Sequence, residues 1–334
     1  MTQYFLGADI GGTKTHALIA DENGHVVGFG EAGPGNHEVV GYDGLVHALS
    51  SVFVQALSSA SISPDQIRGA GFGIAGYDWP SERETTLKVL SSLGLKAPLA
   101  AYNDTIIGLL AGSTEGWGVA VVSGTGCNCW GWDRTRQHIG HVTGGGINMG
   151  EGAGGTELVH RAVWAVAHEW TRRGPATSMT AAFIQHVGAY DLEDLLDGLT
   201  NGRYEIAASA APLVFQCAAN GDPIANNLVR WAGVELGELA KAVIRQLEFE
   251  ALTFEVVLVG SMYDGSSLLT DTMQQTIHTI APGAHLVRLT VPPVVGALLL
   301  GMEQAGIQPT NTVREELAKS LEVIRNSFQR VMIQ

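Results

Sequence analysis

An apolar run, a glycine–threonine turn and a second apolar run occur twice in this chain, more than a hundred residues apart. The first copy passes from Tyr4 through Asp9-Ile10-Gly11-Gly12-Thr13-Lys14-Thr15 to Ala20. The second passes from Gly116 through Ser123-Gly124-Thr125-Gly126 to Trp132. Each reads as two strands joined by a turn whose glycines carry no Cβ, so backbone N–H groups can approach an anion. Thr13, Thr15 and Thr125 add hydroxyl donors, and Lys14 stands in the first turn. Asp9, at the end of a strand, is placed to hold a hydrated divalent cation. An Asn-Gly turn, Asn23-Gly24, leads into a third run from Val26 to Phe29, the mark of a hairpin. One such turn is unspecific, because Gly-Gly also makes ordinary turns. Two of them predict two related α/β halves facing one phosphate-bearing ligand.

Other glycine patterns fail their tests. Gly7 and Gly12 have the spacing of a P-loop, but Thr13 stands where the Lys belongs and no helix follows to complete the cradle. Gly71, Gly73 and Gly76 have dinucleotide spacing, yet Asp78-Trp79-Pro80 is no helix start and no acidic residue lies about twenty positions on. Gly150, Gly152 and Gly155 lack a preceding strand.

Helical periodicity predicts helices over 44–59, 82–93, 105–111, 222–247 and about 266–280, with a further amphipathic helix over 312–332. Strands are expected over 69–75, 98–102, 254–259 and 287–291. Asn103-Asp104 therefore lies at the carboxyl end of a strand and the start of a helix, where ligands sit in open α/β sheets. Asp104 reads there as a helix cap or as a catalytic base. Asn36, on the loop Ala32 to His37, reads as a turn residue or a polar ligand to substrate. Glu151, in the glycine-rich stretch 144–155, reads as a bidentate acceptor for sugar hydroxyls or as an acid favoured by the dipole of the helix that follows. Cys127 and Cys129 share one face of a strand, with His138 and His141 nearby. Buried thiols are the leading reading and a zinc site the competing one.

The balance of 19 basic against 33 acidic residues, net −14, argues against nucleic acid and anionic membranes as partners. The 46% hydrophobic content suffices for large cores, and 334 residues suggest two domains. Three cysteines make no disulfide framework. Met1 leads into a strand rather than a leader, and no apolar stretch reaches the ~18 residues of a membrane span. A cytoplasmic protein is expected. The domains expected are 1–117, with the helix of 306–334 packing back on it, and 118–305.

In order and spacing, Asp9 to Thr15, Asn103-Asp104, Ser123 to Gly126, Val257 to Ser261 and Pro293 to Ala297 resemble the phosphate-1, connect-1, phosphate-2, adenosine and connect-2 segments of the actin/hexokinase/Hsp70 superfamily. Within it the chain resembles the N-acetylglucosamine kinase-like branch of the BadF/BadG/BcrA/BcrD ATPases, on the run Ser123 to Cys129 and the segment ending Met149-Gly150-Glu151. The resemblance implies a two-domain actin-like, ribonuclease H-like α/β fold with duplicated mixed sheets, flanking helices and an interdomain cleft that closes over substrate. It implies ATP and Mg2+ as cofactors, a sugar substrate and a homodimer. Asp104 would be the general base. Gly11, Gly12, Thr13, Lys14, Gly124, Thr125, Gly126, Gly260 and Ser261 would bind ATP, and Asp9 would hold Mg2+ through water. Asn36, Asn103, Gly145 and Glu151 would face the sugar. The chain departs from that branch at Gly144-Gly145-Gly146, where a Gly-Trp-Gly supplies an aromatic platform, and at Glu151, where Asp is usual. N-acetylglucosamine, free glucosamine or another hexose derivative then fits the pocket. An ATP-driven activator or sensor without a sugar acceptor is the rival reading. Activators of that kind hold an iron–sulfur cluster through cysteines, and the strand position of Cys127 and Cys129 does not match that arrangement.

Overall fold

The structure, a computed structural model, describes residues 2–146 and 148–332, with side chains described through residue 324. The chain forms two compact units, Met1–Trp117 with Arg288–Gln334, and Gly118–Val287.

The first unit opens with β1 (Tyr4–Ile10), β2 (Thr15–Asp21) and β3 (Val26–Ala32), then α1 (His37–Ala60), β4 (Ile67–Ile74), α2 (Arg83–Ser91), β5 (Leu99–Asn103) and α3 (Asp104–Gly112). Its sheet has the order β3-β2-β1-β4-β5, with the β1–β2 and β2–β3 pairs antiparallel and the β1–β4 and β4–β5 pairs parallel. The tight turn after β2 is held by Oδ1 of Asp21, which accepts the amides of Asn23 and His25, both at 2.9 Å. Helix α1 begins seven residues before the predicted start at 44. Its first turn, His37-Glu38-Val39-Val40, stands outside the apolar stripe, and Gly41, at φ +70°, interrupts the helix before that stripe begins at Leu45. From there Leu45, Leu49, Val52, Phe53 and Ala56 pack on the sheet face carrying Leu6, Ala8, Ile10, Phe72 and Ile74.

The second unit repeats the plan. It holds β6 (Gly118–Ser123), β7 (Cys127–Trp132), β8 (Ile139–Val142), α4 (Gly155–Trp170), α5 (Met179–Val187), α6 (Leu192–Thr200), α7 (Ala211–Ala219), α8 (Pro223–Gln246), β9 (Phe254–Val259), α9 (Ser267–His278) and β10 (Ala284–Arg288). Its sheet order is β10-β9-β6-β7-β8, the order of the first sheet read from the other edge, with β6–β7 antiparallel and β6–β9 parallel. The duplicated mixed sheets that the family resemblance implies are therefore present. Asp222 caps α8 through the amides of Ile224 (2.9 Å) and Ala225 (2.8 Å), with Pro223 as first helical residue. The strand predicted at 287–291 lies earlier, at Ala284–Arg288.

The chain then returns to the first unit with α10 (Val294–Gln304) and α11 (Asn311–Met332). Residues 288–305, drawn with the second half on sequence grounds, group with the first because α10 lies flat on β1 and β4. A Cβ on Gly7 would strike the backbone of Leu298, and one on Gly71 the carbonyl of Ala297. These glycines, which mimic nucleotide fingerprints by spacing, serve close helix-on-sheet packing. Phe5, Leu18 and Phe29 meet Leu298, Leu299, Met302 and Leu317 on that face. No helix among the described residues is long and apolar enough to cross a membrane.

Candidate active site

In the first unit the turn between β1 and β2 is pinned at its base. The Gly11 amide donates to Lys14 O at 3.0 Å, and Gly11 O accepts the amides of Gly35 (3.0 Å) and Asn36 (3.2 Å). Gly12, Thr13 and Lys14 form the exposed tip. Thr15 is buried, its hydroxyl donating to Gly33 O at 3.0 Å, so it braces the turn. Asp9, half-buried, ends β1. Burial pushes its pKa up to about 7, with Lys14 pulling the other way. A carboxylate that has lost hydration gains from a cation beside it, so Asp9 fits a divalent ion.

At the carboxyl end of β5, Asn103 is the N-cap of α3, its side-chain Oδ1 accepting the Thr105 amide at 2.9 Å. Asp104 is the first helical residue and is not the cap. Nδ2 of Asn103 donates to Oδ1 of Asp78 at 2.7 Å. Burial, then the negative charges of Glu38, Asp104 and Glu82, push Asp78 up to about 7, and the Asn103 bond partly offsets them. Asn36 caps α1, accepting the Glu38 amide at 2.8 Å. Gly76, at φ +77°, packs so tightly that a Cβ there would meet Oδ1 of Asn36. The first unit thus gathers Asn36, Asn103 and Asp104 around an acidic cluster that includes Asp78. Asp78 escapes the sequence reading, although a carboxylate just past the end of β4, the strand beside β5, is signalled by the rule that marks Asp104.

In the second unit the Ser123–Gly126 turn is closed by the Gly124 amide on Gly126 O (2.9 Å), and its carbonyls are taken by the start of α4: Gly155 N to Gly124 O at 2.7 Å, Thr156 N to Thr125 O at 3.0 Å. Thr125 and Gly126 face solvent. Gly260, at φ +109°, backs this turn, for a Cβ there would strike Ser123 O. A cavity of about 530 Å³ joins Gly124 and Thr125 to Ser261, Met262, Phe215 and Gln216, within the range of small-molecule sites, about 300–1,000 Å³. The Ser123–Gly126 turn and the start of the segment after β9 thus share one cavity, with an apolar wall from Phe215 and Met262. Phe215, buried in α7, and Gln216, exposed beside it, carry no sequence signal of a site.

Glu151 folds the glycine-rich loop. Its Oε2 accepts the amides of Gly144 (2.7 Å) and Gly145 (2.9 Å) and the Thr143 hydroxyl (3.3 Å). The helix-dipole reading of Glu151 is overturned, because α4 starts only at Gly155 and its first-turn acid is Glu157, whose Oε2 accepts the Gly154 amide at 3.1 Å. Glu151 lines a second cavity, of about 250 Å³, with Arg161, Trp164 and Trp231. The Arg161 guanidinium lies 3.8 Å over the Trp231 ring. Cys127 and Cys129 are buried core thiols. The Ala153 amide lies 3.1 Å from Cys127 Sγ, and burial pushes the Cys127 thiol up to about 12. His141 stacks on Trp130 at 4.5 Å.

Comparison with known proteins agrees with this architecture. The chain is 26% identical over 314 residues to an N-acetyl-D-glucosamine kinase of Dictyostelium discoideum, covering 90% of this chain and 98% of that protein. It is 23% identical over 308 residues to an N-acetylmuramic acid/N-acetylglucosamine kinase of Clostridium acetobutylicum, covering 90% and 99%. The crystal structure of a candidate N-acetylglucosamine kinase from Chromobacterium violaceum superimposes with a TM-score of 0.64 at 24% identity, covering 89% of this chain and 98% of that one. That likeness carries the fold, the actin-like pair of mixed sheets. The profile of the BadF/BadG/BcrA/BcrD ATPases matches residues 6–301, nearly the whole chain. This protein belongs to the BadF/BadG/BcrA/BcrD ATPase family.

Proposed function

We propose that this chain is an ATP-dependent carbohydrate kinase that transfers the γ-phosphoryl group to a hydroxyl of an amino sugar, N-acetylglucosamine or glucosamine, with Asp104 as general base. One observation carries the reading: Asp104 begins α3 at the end of β5 while Asn103 performs the capping. A carboxylate at a helix start is most often a cap. With Asn103 in the cap role, the Asp104 carboxylate stands beyond the carboxyl end of β5, the position of a base in this reading. The names of the relatives support the substrate class.

Phosphoryl transfer asks for positioning and charge neutralisation more than covalent chemistry. The amides and hydroxyls of Gly11, Gly12, Thr13, Gly124, Thr125 and Gly126, with the Lys14 ammonium, grip phosphate oxygens. Gly260 and Ser261 would lie against the adenosine, and Ser261 lines the 530 Å³ cavity. Asp9 would hold hydrated Mg2+, which neutralises charge on the phosphates when bound. Asp104 orients the acceptor hydroxyl and takes its proton. Asn36, Asn103, Gly145 and Glu151 bind the sugar. Trp164 and Trp231, beside Glu151, offer the apolar surface that Gly144-Gly145-Gly146 cannot.

Incubation with ATP, Mg2+ and a panel of glucosamine, N-acetylglucosamine and plain hexoses tests the reading. Sugar phosphate should form with an amino sugar. ATP hydrolysis that continues unchanged by every sugar would replace the kinase with an activator or sensor ATPase.

A further inference from the structure

The segment that leaves β4 is tied to its surroundings by bonds that belong to neither sheet. Oε2 of Glu82 accepts the amides of Asp78 (2.9 Å) and Trp79 (2.8 Å). Its Oε1 lies 3.2 Å from Nε2 of the buried His37 at the start of α1. Asp78, so fixed, accepts Nδ2 of Asn103 at 2.7 Å, and Oδ1 of Asn103 accepts the Thr105 amide of α3 at 2.9 Å. The bonds run from α1 through Glu82, Asp78 and Asn103 to the helix that Asp104 begins.

We infer that Asp78 is a positioning residue for Asp104, holding Asn103 in the one side-chain orientation that can cap α3. The inference rests on the reading of Asp104 as base. An Asn amide has an acceptor end and a donor end of the same shape. Turned by 180°, Asn103 would set its NH₂ against the Thr105 N–H, two donors facing each other, and the cap would be lost. An acceptor opposite the NH₂ forbids that orientation. A carboxylate forbids it most strongly, since hydrogen bonds to charged acceptors are about twice as strong as neutral ones.

Charge adds a second effect. Asp78 faces Glu38 of α1, Glu82 and Asp104, with Asn103 as donor and His37 behind Glu82. Burial and these acids bring its ionisation to about 7. As pH rises through that value, Asp78 grips Asn103 harder and places negative charge near Asp104. Turnover should therefore rise across neutrality on a limb belonging to Asp78.

The test is kcat against pH, from 5.5 to 8.5, for the wild type, Asp78→Asn and Asp78→Ala, with the amino sugar phosphorylated best. Asn at 78 keeps an acceptor and loses the charge. We expect kcat to fall about tenfold in Asp78→Asn and about a hundredfold in Asp78→Ala, the scale on which small misplacements cost rate. The limb near neutrality should vanish in both, and KM for ATP should change less than threefold. A limb that persists in both variants, or a kcat within twofold of wild type in both, overturns the inference. A variant that merely folds less well would lower the melting temperature and leave the shape of the profile intact, which also counts against it. If the wild type phosphorylates no sugar, the kinase reading fails separately. The Asn103 side-chain amide resonance then decides: a shift with pH near 7 that Asp78→Asn abolishes upholds the pairing, and a flat response ends it.

Discussion

Asn103 caps the helix whose first residue is Asp104, its Oδ1 accepting the Thr105 amide at 2.9 Å. Two adjacent residues with interchangeable helix-start chemistry thus take different places, Asn103 as the cap and Asp104 as the first helical residue. Asp104→Asn should therefore keep the fold, the melting temperature and ATP affinity while turnover falls by ~10² to 10⁴-fold, the usual contribution of a general base. Steady-state kinetics beside calorimetric titration of an ATP analogue checks this. A near-normal kcat removes Asp104 from the base role.

Thr125 stands exposed in a turn whose carbonyls are already held by α4. Its hydroxyl is spare for a phosphate, and Thr125→Val removes that donor with little change in volume. KM for ATP should rise and kcat fall, at an unchanged melting temperature. A lower melting temperature with normal ATP kinetics would make the turn structural.

Glu151 uses one carboxylate oxygen to gather Thr143, Gly144 and Gly145. Hydrogen bonds to charged groups contribute ~1.5 to 3 kcal/mol each. Glu151→Gln keeps the shape and removes the charge, so sugar KM should rise about tenfold or more with ATP KM unchanged. An unchanged sugar KM with reduced stability would limit Glu151 to folding its own loop. Glu157→Ala, at the true start of α4, should lower stability by ~0.5 to 2 kcal/mol, the worth of a cap.

Gly76 lies at φ +77°, with Asn36 against the place a Cβ would occupy. Gly76→Ala meets both backbone strain and a clash, and about 1–3 kcal/mol of stability should be lost. The displaced Asn36 should raise sugar KM as well. Denaturant unfolding and sugar kinetics on the one variant measure both. Wild-type values in each would show that the turn relaxes freely.

Asp9 and Asp78, both raised to about 7 in the folded protein from an ordinary 3.8, set a pH dependence of stability. Between those values the folded chain binds more protons than the unfolded one. Stability then falls as pH rises, and the loss is complete above about 7. The melting temperature should be higher at pH 5 than at pH 8, and Asp78→Asn should narrow the gap. A gap unchanged in that variant would mean that Asp78 ionises normally.

The twin hairpins, the strand ends that carry Asp9, Asn103 and Ser123, and the apolar stripes of α1, α8 and α11 were all legible in the sequence. Each is a local matter: the Cβ-free turn and the period of two or 3.6. The pairing of the two turns also foretold two related halves, because one motif needs one scaffold. Tertiary structure decided the rest. Gly7 and Gly71 fail the nucleotide-loop tests in the sequence, but only the fold shows what they are for, close contact with α10 more than two hundred residues away. Glu151 passes for a helix-start acid until α4 is found to begin at Gly155 with Glu157 in that role. Asp78 carries no periodic signal, and only the parallel pairing of β4 with β5 sets it against Asn103. Phe215 and Gln216 reach the phosphate turn because the helix carrying them folds back over it. Backbone preference acts between neighbours in the chain, so it can be read there. A site is made by residues that meet only after the strands have chosen their order, and that choice belongs to the packed core as a whole.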